Sequence, residues 1–262
     1  MTDPDVVADI ETLMDAAWPA AEREESGWVL RAASGVTQRA NSVWVRSEPE
    51  NTTHGRLAAL RNARLWYRSR RLPVIFQVFD DRHYDALNAV LDGEGFTRQS
   101  ETLVLVRDAG AESLEPDAGV EISAEPSAEW LELWWGVDGR GGEAGLAVAR
   151  GILEGCPALY ALVRDDDGGA AAVGRLAVPP VQPRWGGLYC MATRPEERRR
   201  GHAARIIRAL LSEGQARALC GYWLLVMASN AGARDLYARA GFREAGRYLY
   251  RQERPKRHLT GC

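Results

Sequence analysis

Two short segments in the second half of the chain contain residue types suited to binding a charged ligand. In the first, arginines 198–200 precede Gly201, and apolar residues at helical spacing follow at positions 206–211. The first amides of a helix have no carbonyl partner within the helix, so they bind phosphate oxygens, and neighbouring arginines add positive charge. The small residues Gly201 and Ala203 allow a ligand to approach the backbone closely. The alternative is a strand-to-helix turn with solvated arginines.

The second segment starts at Asn230 and ends at Gly241. Asparagine is a favoured N-cap residue, and glycine commonly follows the last residue of a helix, so the segment predicts one short helix. Tyr237 lies seven residues after Asn230, which is about two helical turns, so both side chains can face the same side. The alternative is a capped helix whose tyrosine packs in the core.

The elements around these segments follow an α+β order. Apolar periodicity predicts two helices, then strands, and the Asp/Gly run 165–169 between two apolar stretches predicts a hairpin. A mixed sheet flanked by helices accommodates this order. The predicted elements are helices at 128–137 and 143–153, strands at 158–164, 170–178 and 187–192, a helix at 201–218, a strand at 222–228, a helix at 231–240 and a strand around 247–251.

The two segments bracket a single strand, and in this order they resemble the GNAT superfamily of N-acetyltransferases. The phosphate loop of that family matches at Arg198, Gly201 and Ala203. The downstream family signature, Asn-x-x-Ala-x-x-Leu-Tyr-x-x-x-Gly-Phe, matches at every specified position of 230–242. The resemblance covers about residues 187–250. It implies an enzyme that transfers the acetyl group of acetyl-CoA directly to an amine in a ternary complex.

The resemblance also implies roles for individual residues. Two neighbouring parallel strands splay apart to admit the pantetheine arm, and a strand amide near Met191 polarises the acyl carbonyl. Tyr237 is implied as the acid that protonates the departing thiolate, since its phenol pKa of about 10 is close to that of an alkyl thiol. The implied coenzyme-binding residues are Met191, Ala192, Thr193, Arg198, Arg199, Arg200, Gly201, His202, Ala203, Ala204 and Asn230.

The general base and the acceptor site are less defined. The strand 187–192 offers neither a carboxylate nor an imidazole, so the candidates are Tyr189 and a water relayed from Asp138, with packing as the alternative for Tyr189. In GNAT folds the first two helices and their connection wall the acceptor site. The resemblance therefore places Trp134, Trp135 and Asp138 there, or else the tryptophans pack the helix onto the sheet.

An internal repeat predicts the domain organisation. Gly55 and Gly95 precede Gly201 and Gly241 by the same 146 residues (201 − 55 and 241 − 95). We therefore expect two tandem GNAT-like domains, each a mixed β-sheet flanked by helices, at residues 1–110 and 111–262. A polar stretch at 108–117 is the expected linker.

The first half lacks the residues that carry the resemblance in the second. At the 146-residue offset, Thr52 replaces Arg198, Tyr84 replaces Asn230 and Leu91 replaces Tyr237. Leu57 likewise takes the position of Ala203. We therefore expect a degenerate N-terminal domain that binds no coenzyme and has a structural role.

Composition and residue spacing disfavour several other classes of function. The net charge of −3 disfavours a general nucleic-acid binder. Cys156, Cys190, Cys220 and Cys262 lack metal-site spacing, and Cys190 and Cys220 lie in apolar runs typical of core cysteines. No export signal or 18-residue apolar span is evident, which predicts a cytoplasmic location without membrane association.

These observations lead to one principal prediction of function. The protein is expected to be a monomer or homodimer that acetylates the primary amine of a small molecule, such as an amino acid, an antibiotic or a metabolite. The alternatives are a non-catalytic acyl-CoA sensor and a peptide or protein N-acetyltransferase. Retention of Tyr237 argues against the sensor, because a binder does not need an acid.

Overall fold

A computed structural model describes residues 4–46, 52–110, 115–139 and 141–254. Residues 111–114 of the expected linker and Cys262 lie outside this part. Within it, no helix is both long enough and apolar enough to cross a membrane. The described helices are α1 (Pro4–Ala17), α2 (Thr53–Ser69), α3 (Asp85–Gly93), α4 (Ala128–Asp138), α5 (Gly142–Glu154), α6 (His202–Ala216) and α7 (Ala231–Arg239). The described strands are β1 (Glu22–Ser26), β2 (Trp28–Ala32), β3 (Val43–Trp44), β4 (Ile75–Phe79), β5 (Phe96–Asp108), β6 (Val120–Ser123), β7 (Ala158–Arg164), β8 (Ala170–Ala177), β9 (Trp185–Thr193), β10 (Gly221–Met227) and β11 (Arg243–Glu253).

The chain forms two compact units. Unit 1 consists of Met1–Pro19 and Leu103–Gly246, and unit 2 consists of Ala20–Thr102 and Arg247–Cys262. Each unit is therefore formed from two separate stretches of the chain. The N-terminal helix α1 falls in unit 1, and the two long strands β5 and β11 each contribute residues to both units.

Each unit contains a mixed sheet, as the sequence predicted. In unit 1 the strand order is β5-β10-β9-β8-β7-β6, in which β9 and β10 are parallel, while β8 pairs antiparallel with both β7 and β9. In unit 2, β2 pairs antiparallel with β1 and β3, β3 pairs parallel with β4, and β4 pairs antiparallel with β11. Both units therefore contain a parallel strand pair, β9 with β10 in unit 1 and β3 with β4 in unit 2.

Helices cover both faces of the unit 1 sheet. Leu188 on β9 belongs to an apolar cluster with residues of α6 and α7, whereas the adjacent Tyr189 stacks on Trp18, which in turn contacts Trp134 on α4. Because successive strand residues point to opposite faces, α6 and α7 lie on one face and α4, with the end of α1, on the other. Side chains from these helices therefore pack against both faces of β9.

The repeat predicted from the glycine spacing is present in the element positions. At an offset of 146 residues, α3 coincides with α7 at both ends, β4 and β10 begin together, and β5 and β11 agree within one residue at each end. The tandem GNAT-like architecture is thus confirmed. β1 and β6 were not predicted: β1 contains no apolar residue, and the apolar alternation of β6 extends over only four residues.

The expected core positions of two cysteines need correction. Cys220 is exposed, because it precedes β10 in a turn, where its thiol lies against the Arg184 carbonyl at 3.2 Å. Cys190 is only partly buried, and its φ of +54° departs from regular strand geometry. Apolar neighbours in the sequence therefore did not decide the burial of either thiol.

Candidate active site

The parallel strands β9 and β10 separate part-way along their length. Their pairing runs from Gly221, opposite Trp185, to Leu224, opposite Leu188. β9 continues to Thr193 and β10 continues to Met227. Beyond Leu188, the edge of β9 that faces β10 therefore has main-chain groups without a strand partner from β10. This opening lies where the sequence predicted the pantetheine gap.

An irregularity in β9 coincides with the start of the opening. Cys190 has a left-handed φ of +54°, and the pairing of β8 with β9 shifts register between Val173 and Arg175. Such a bulge bends the strand and redirects its main-chain groups. Met191 and Thr193 follow it and are partly buried, while Ala192 is 4% exposed.

The loop after β9 leads into the N-terminus of α6. Arg199 and the N-cap Gly201 both have left-handed φ values, +68° and +85°. The first helical hydrogen bond is donated by Arg205 N–H to the Gly201 carbonyl at 3.1 Å. The amides of residues 202–204 consequently have no carbonyl partner within α6 and are available to an anion.

A buried carboxylate organises the side chains of this loop. Glu197 is 7% exposed, and its Oε2 lies 3.2 Å from both His202 Nε2 and Arg200 Nη1. Arg198 instead turns back, with its Nε donating to the Thr193 carbonyl at 3.4 Å. Of the predicted coenzyme residues, those at 198–204 lie in this loop and the first turn of α6, whereas residues 191–193 lie on β9 and Asn230 caps α7. It also adds Glu197, which the family motif did not indicate.

Helix α7 has the caps that the sequence predicted. Asn230 Oδ1 accepts a hydrogen bond from Ala233 N–H at 3.1 Å, and Gly241 has a φ of +84° just beyond the helix. The Asn230 side chain therefore stabilises the first turn of the helix that carries Tyr237.

Tyr237 lies in an apolar environment. It is 7% exposed and packs edge-on against Phe242, in the cluster that also contains Leu188 and Val226. Burial, together with the negative charge of Asp138, raises the pKa of Tyr237 to about 12. Asp138 is exposed at the end of α4. Two residues singled out separately in the sequence are therefore brought together.

Tyr189 and Trp134 lie in an aromatic cluster with Trp18. The Tyr189 ring stacks on Trp18 at 5.6 Å, and its hydroxyl accepts a hydrogen bond from Trp223 Nε1 at 3.1 Å. Trp134 is 4% exposed and contacts Trp18 edge-on. These environments favour the packing interpretation for both residues.

Trp135 has a different position from Trp134. It is partly buried, and its Nε1 donates to the Gly142 carbonyl at 3.1 Å. This bond spans the connection between α4 and α5, in which Arg140 lies outside the described residues. Trp135 thus fixes the loop that follows Asp138.

Sequence reasoning missed Arg175, which organises the aromatic cluster. Arg175 is fully buried and donates to the carbonyls of Ala17, Leu153 and Cys156 at 3.0–3.1 Å. The first two carbonyls are at the C-terminal ends of α1 and α5, where helix dipoles favour a cation. A lone arginine in a strand pattern gave no signal of this role.

A cavity of about 500 Å³ lies between α4 and the loop that follows β9. It is lined by residues of α4, including Glu129, Glu132 and Gly136, and by Arg194 and Glu196 from the loop before α6. Glu132 is exposed, whereas Glu129 pairs with Arg164 and Glu196 with Arg194. Two of the three glutamates are therefore paired with arginines, and Glu132 supplies most of the remaining negative charge of the lining.

Comparison with known proteins identifies the family to which this geometry belongs. Residues 7–251 match the model of a family described as "Probable histone acetyltransferase Rv0428c C-terminal". The chain belongs to this family. It is accordingly an acetyltransferase of the GNAT type, which as a class uses acetyl-CoA as the acetyl donor.

Individual relatives agree with this assignment. The acetyltransferase is 28% identical to "Uncharacterized N-acetyltransferase YobR" of Bacillus subtilis (strain 168) over 255 residues, which cover 95% of this chain and 100% of that protein. Among solved structures, a GCN5-related N-acetyltransferase from Kribbella flavida has a TM-score of 0.68 at 18% identity, covering 99% of this chain and 98% of that one.

A tandem GNAT protein from the clavulanic acid biosynthesis pathway has the same TM-score at 12% identity, covering 95% of this chain and 89% of that one. At these identities both structures report on the fold of the acetyltransferase. The tandem arrangement is thus one that a known GNAT protein shares.

In unit 2 of the acetyltransferase, side chains of the unit itself bind the main-chain groups that are equivalent to the candidate coenzyme site of unit 1. Thr52 Oγ1 accepts a hydrogen bond from Gly55 N–H at 3.0 Å, which caps α2 from within. The Tyr84 hydroxyl donates to the Val45 carbonyl at 3.1 Å. At the 146-residue offset Val45 corresponds to Met191. The tyrosine therefore uses a main-chain group equivalent to one expected to bind pantetheine in unit 1.

Proposed function

We propose that this acetyltransferase transfers the acetyl group of acetyl-CoA to the primary amine of a small molecule by direct attack in a ternary complex. The observation that carries the proposal is the phenol of Tyr237, which is buried and raised in pKa beside a carboxylate. A group that stays protonated at neutral pH is suited to donate a proton to a departing thiolate.

The coenzyme is assigned to the opening between β9 and β10 and to the start of α6. The pyrophosphate accepts hydrogen bonds from the amides of residues 199–204, with charge from Arg198, Arg199 and Arg200. The pantetheine arm bonds to the main chain of residues 191–193, beyond the end of the β9–β10 pairing. An amide near Met191 stabilises the oxyanion that forms as the amine attacks.

The proton transfers are assigned to Tyr237 and Asp138. As the amine nitrogen bonds to the acyl carbon and the carbon–sulfur bond breaks, Tyr237 gives its proton to the sulfur, and the second proton that the nitrogen loses on becoming an amide returns to the Tyr237 phenolate. Asp138, through a water, takes a proton from the ammonium of the acceptor. The hydrogen bond from Trp223 to Tyr189 supports a packing role for Tyr189 rather than the role of base.

The acidic cavity supports a cationic acceptor. Glu129, Glu132 and Glu196 line it. Glu129 and Glu196 are paired with arginines, so Glu132 is the carboxylate that would attract an ammonium ion. The cavity includes Gly136 and Val137, which directly precede Asp138. An acceptor amine in this cavity would therefore lie beside the proposed base.

Unit 2 is assigned a structural role without coenzyme. The internal cap at Thr52 and the bond from Tyr84 to the Val45 carbonyl support this, because each occupies a group that the coenzyme would need. We expect a single coenzyme site per chain.

A second candidate acceptor is a protein lysine. The description of the matching family, "Probable histone acetyltransferase Rv0428c C-terminal", favours it. Such an acceptor also carries an ammonium group, so the acidic lining does not distinguish the two candidates.

An acceptor panel separates the two candidates. Thiol release from acetyl-CoA is measured with amino acids, amino sugars and aminoglycosides, and with lysine-containing basic peptides of matched concentration. Turnover on small amines is expected, together with one acetyl-CoA bound per chain by calorimetry. Turnover confined to the peptides would replace the small-molecule proposal with the protein one, and two bound coenzymes would contradict the assignment of unit 2.

A further inference from the structure

The side chain of Tyr189 is held at both its ring and its hydroxyl, just before the point where β9 and β10 separate. The ring stacks on Trp18 at 5.6 Å, and the Arg175 guanidinium lies 6.0 Å from the ring centre. The hydroxyl accepts a hydrogen bond from Trp223 Nε1 on β10 at 3.1 Å. Tyr189 therefore connects β9, on which it lies, to β8, to β10 and to the end of α1.

Gly187 on β9 provides the space for this arrangement. It lies opposite Trp223 in the pairing of β9 with β10. A Cβ at position 187 would lie 2.4 Å from the Trp223 ring and 2.6 Å from the Tyr189 ring, so a side chain there would push the two rings apart. The next pair, Leu188 with Leu224, is the last one before the opening. The hydrogen bond between the two rings therefore joins the strands where they begin to separate.

Arg175 lies on the other side of the same strand, next to the bulge. It is the strand partner of Tyr189, and the register of β8 and β9 shifts between Val173 and Arg175, beside the left-handed Cys190. The amide near Met191, to which stabilisation of the oxyanion is assigned, directly follows the bulge. A bulge redirects the main-chain groups of its strand, so the direction of this amide depends on how Arg175 and Tyr189 hold β9.

The environment of Arg175 indicates a role other than stability. Its acceptors are the main-chain carbonyls of Ala17, Leu153 and Cys156, and within the described ranges of the chain no carboxylate forms an ion pair with it. Its Nε is buried and makes no hydrogen bond in those ranges. A buried cation without a carboxylate is costly, and an apolar side chain of similar volume is often at least as stabilising.

Three aromatic rings lie around the Arg175 guanidinium and restrict its orientation. Its Cζ lies 5.9–6.0 Å from the ring centres of Trp18, Tyr160 and Tyr189. An aromatic face attracts a guanidinium, and the planar group also has the shape to stack against rings. The charge and shape of the arginine therefore serve to orient the Tyr189 ring.

We infer that Arg175 and Tyr189 are positioning residues for catalysis, which together set where β9 leaves β10 and so direct the amide near Met191 at the acyl carbonyl. Neither side chain exchanges a proton or contacts the substrate. Arg175 acts through Tyr189, and Tyr189 acts through the main chain of β9. The inference rests on the proposed acetyl transfer and adds two residues to the groups that stabilise its oxyanion.

The test measures kcat and the acetyl-CoA dissociation constant of variants of the whole protein. Arg175→Met should lower kcat at least about tenfold, which is less than the effect of removing an oxyanion donor outright, about 10²–10³-fold. Tyr189→Phe, which removes only the bond to Trp223, should lower kcat less, and both variants should retain their affinity for acetyl-CoA. Arg175→Lys keeps the charge but not the planar group, and should restore part of kcat. Arg251→Met, which removes another fully buried arginine, in unit 2, is the control and should lower the melting temperature but not kcat.

An infrared measurement separates positioning from a general loss of stability. A hydrogen bond to a carbonyl lowers its stretching frequency, so the difference spectrum of bound acetyl-CoA, labelled with ¹³C at the acyl carbonyl, reports on the direction of the amide. The band should move to lower frequency in the wild type and in Arg251→Met, and Arg175→Met should lose most of this shift. If the arginine acts through the tyrosine, Arg175→Met combined with Tyr189→Phe should lower kcat no more than Arg175→Met alone.

An unchanged kcat and carbonyl frequency in Arg175→Met would overturn the inference, and so would equal losses in Arg251→Met, which would reduce the effect to stability. If Arg175→Met does not fold, Arg175→Lys and Tyr189→Phe take its place, and an unchanged carbonyl frequency in both would overturn the inference. Failure of the proposed function gives a different result. Absence of turnover by the wild type on every amine, or of any carbonyl shift in the wild type, would contradict the proposed reaction itself.

Discussion

The carboxylate of Asp138, at the end of α4, lies close enough to the phenol of Tyr237 on α7 to raise its pKa. The two residues are 99 positions apart in the sequence, and the fold brings the end of α4 towards α7, the helix after β10. A negative charge beside a phenol disfavours the phenolate, so Asp138 helps to keep the proposed acid protonated.

Replacement of Asp138 by Asn should lower the pKa of Tyr237 below its value of about 12. Burial would remain, so the pKa should stay above the ordinary value of about 10. The phenol is isolated by subtracting the ultraviolet tyrosinate titration of Tyr237→Phe from that of the parent. Glu132→Gln, also exposed on α4, is the matched control, and an unchanged titration in Asp138→Asn would disprove the coupling.

Gly201→Ala should weaken acetyl-CoA binding at least about tenfold. A left-handed φ costs a residue with a Cβ about 1 kcal/mol, so relaxation of the backbone would misdirect the free amides of α6. The space around Gly201 is open, and so the effect is not steric. Calorimetry with acetyl-CoA measures the change.

Gly168→Ala is the matched control for Gly201→Ala. Gly168 has a φ of +84°, also in open space, but lies in the turn between β7 and β8. Both variants should lose similar stability, while only Gly201→Ala should lose affinity for acetyl-CoA. Equal affinity losses would show that the α6 terminus has no special role.

Trp18→Ala should destabilise unit 1 by about 3–5 kcal/mol, the usual cost of deleting a buried tryptophan. Trp18 is 3% exposed and contacts both Tyr189 and Trp134. Denaturant unfolding measures the loss, with Leu65→Ala, at a 63% exposed position, as a control expected to change stability by less than about 0.5 kcal/mol. A small effect of Trp18→Ala would mean that the end of α1 is dispensable to the unit.

The sequence was most informative about features that depend on residues close together in the chain. The caps Asn230 and Gly241 fix the ends of α7 through interactions within a few residues, and both were predicted. The glycine repeat likewise indicated the tandem organisation, because an internal offset survives even when side chains diverge.

Long-range arrangements were not predictable in the same way. Trp18 and Arg175 meet only because α1 packs in unit 1, and nothing in the residues between them encodes that contact. The long strands β5 and β11 contribute to both units, whereas a polar stretch in the sequence indicated a simple linker. The left-handed Cys190 was also hidden, since its neighbours read as a regular strand.

The central claim is that Tyr237 donates a proton in the transition state rather than merely packing beside the coenzyme. The most direct measurement is kcat for Tyr237→Phe, together with its acetyl-CoA dissociation constant. Tyr222→Phe is the control, since Tyr222 is also buried with a pKa raised to about 12, but its hydroxyl donates to the Leu211 carbonyl. The account predicts a fall in kcat of about 10²–10⁴-fold for Tyr237→Phe with unchanged affinity, and little change for Tyr222→Phe. An undiminished kcat in Tyr237→Phe would contradict it.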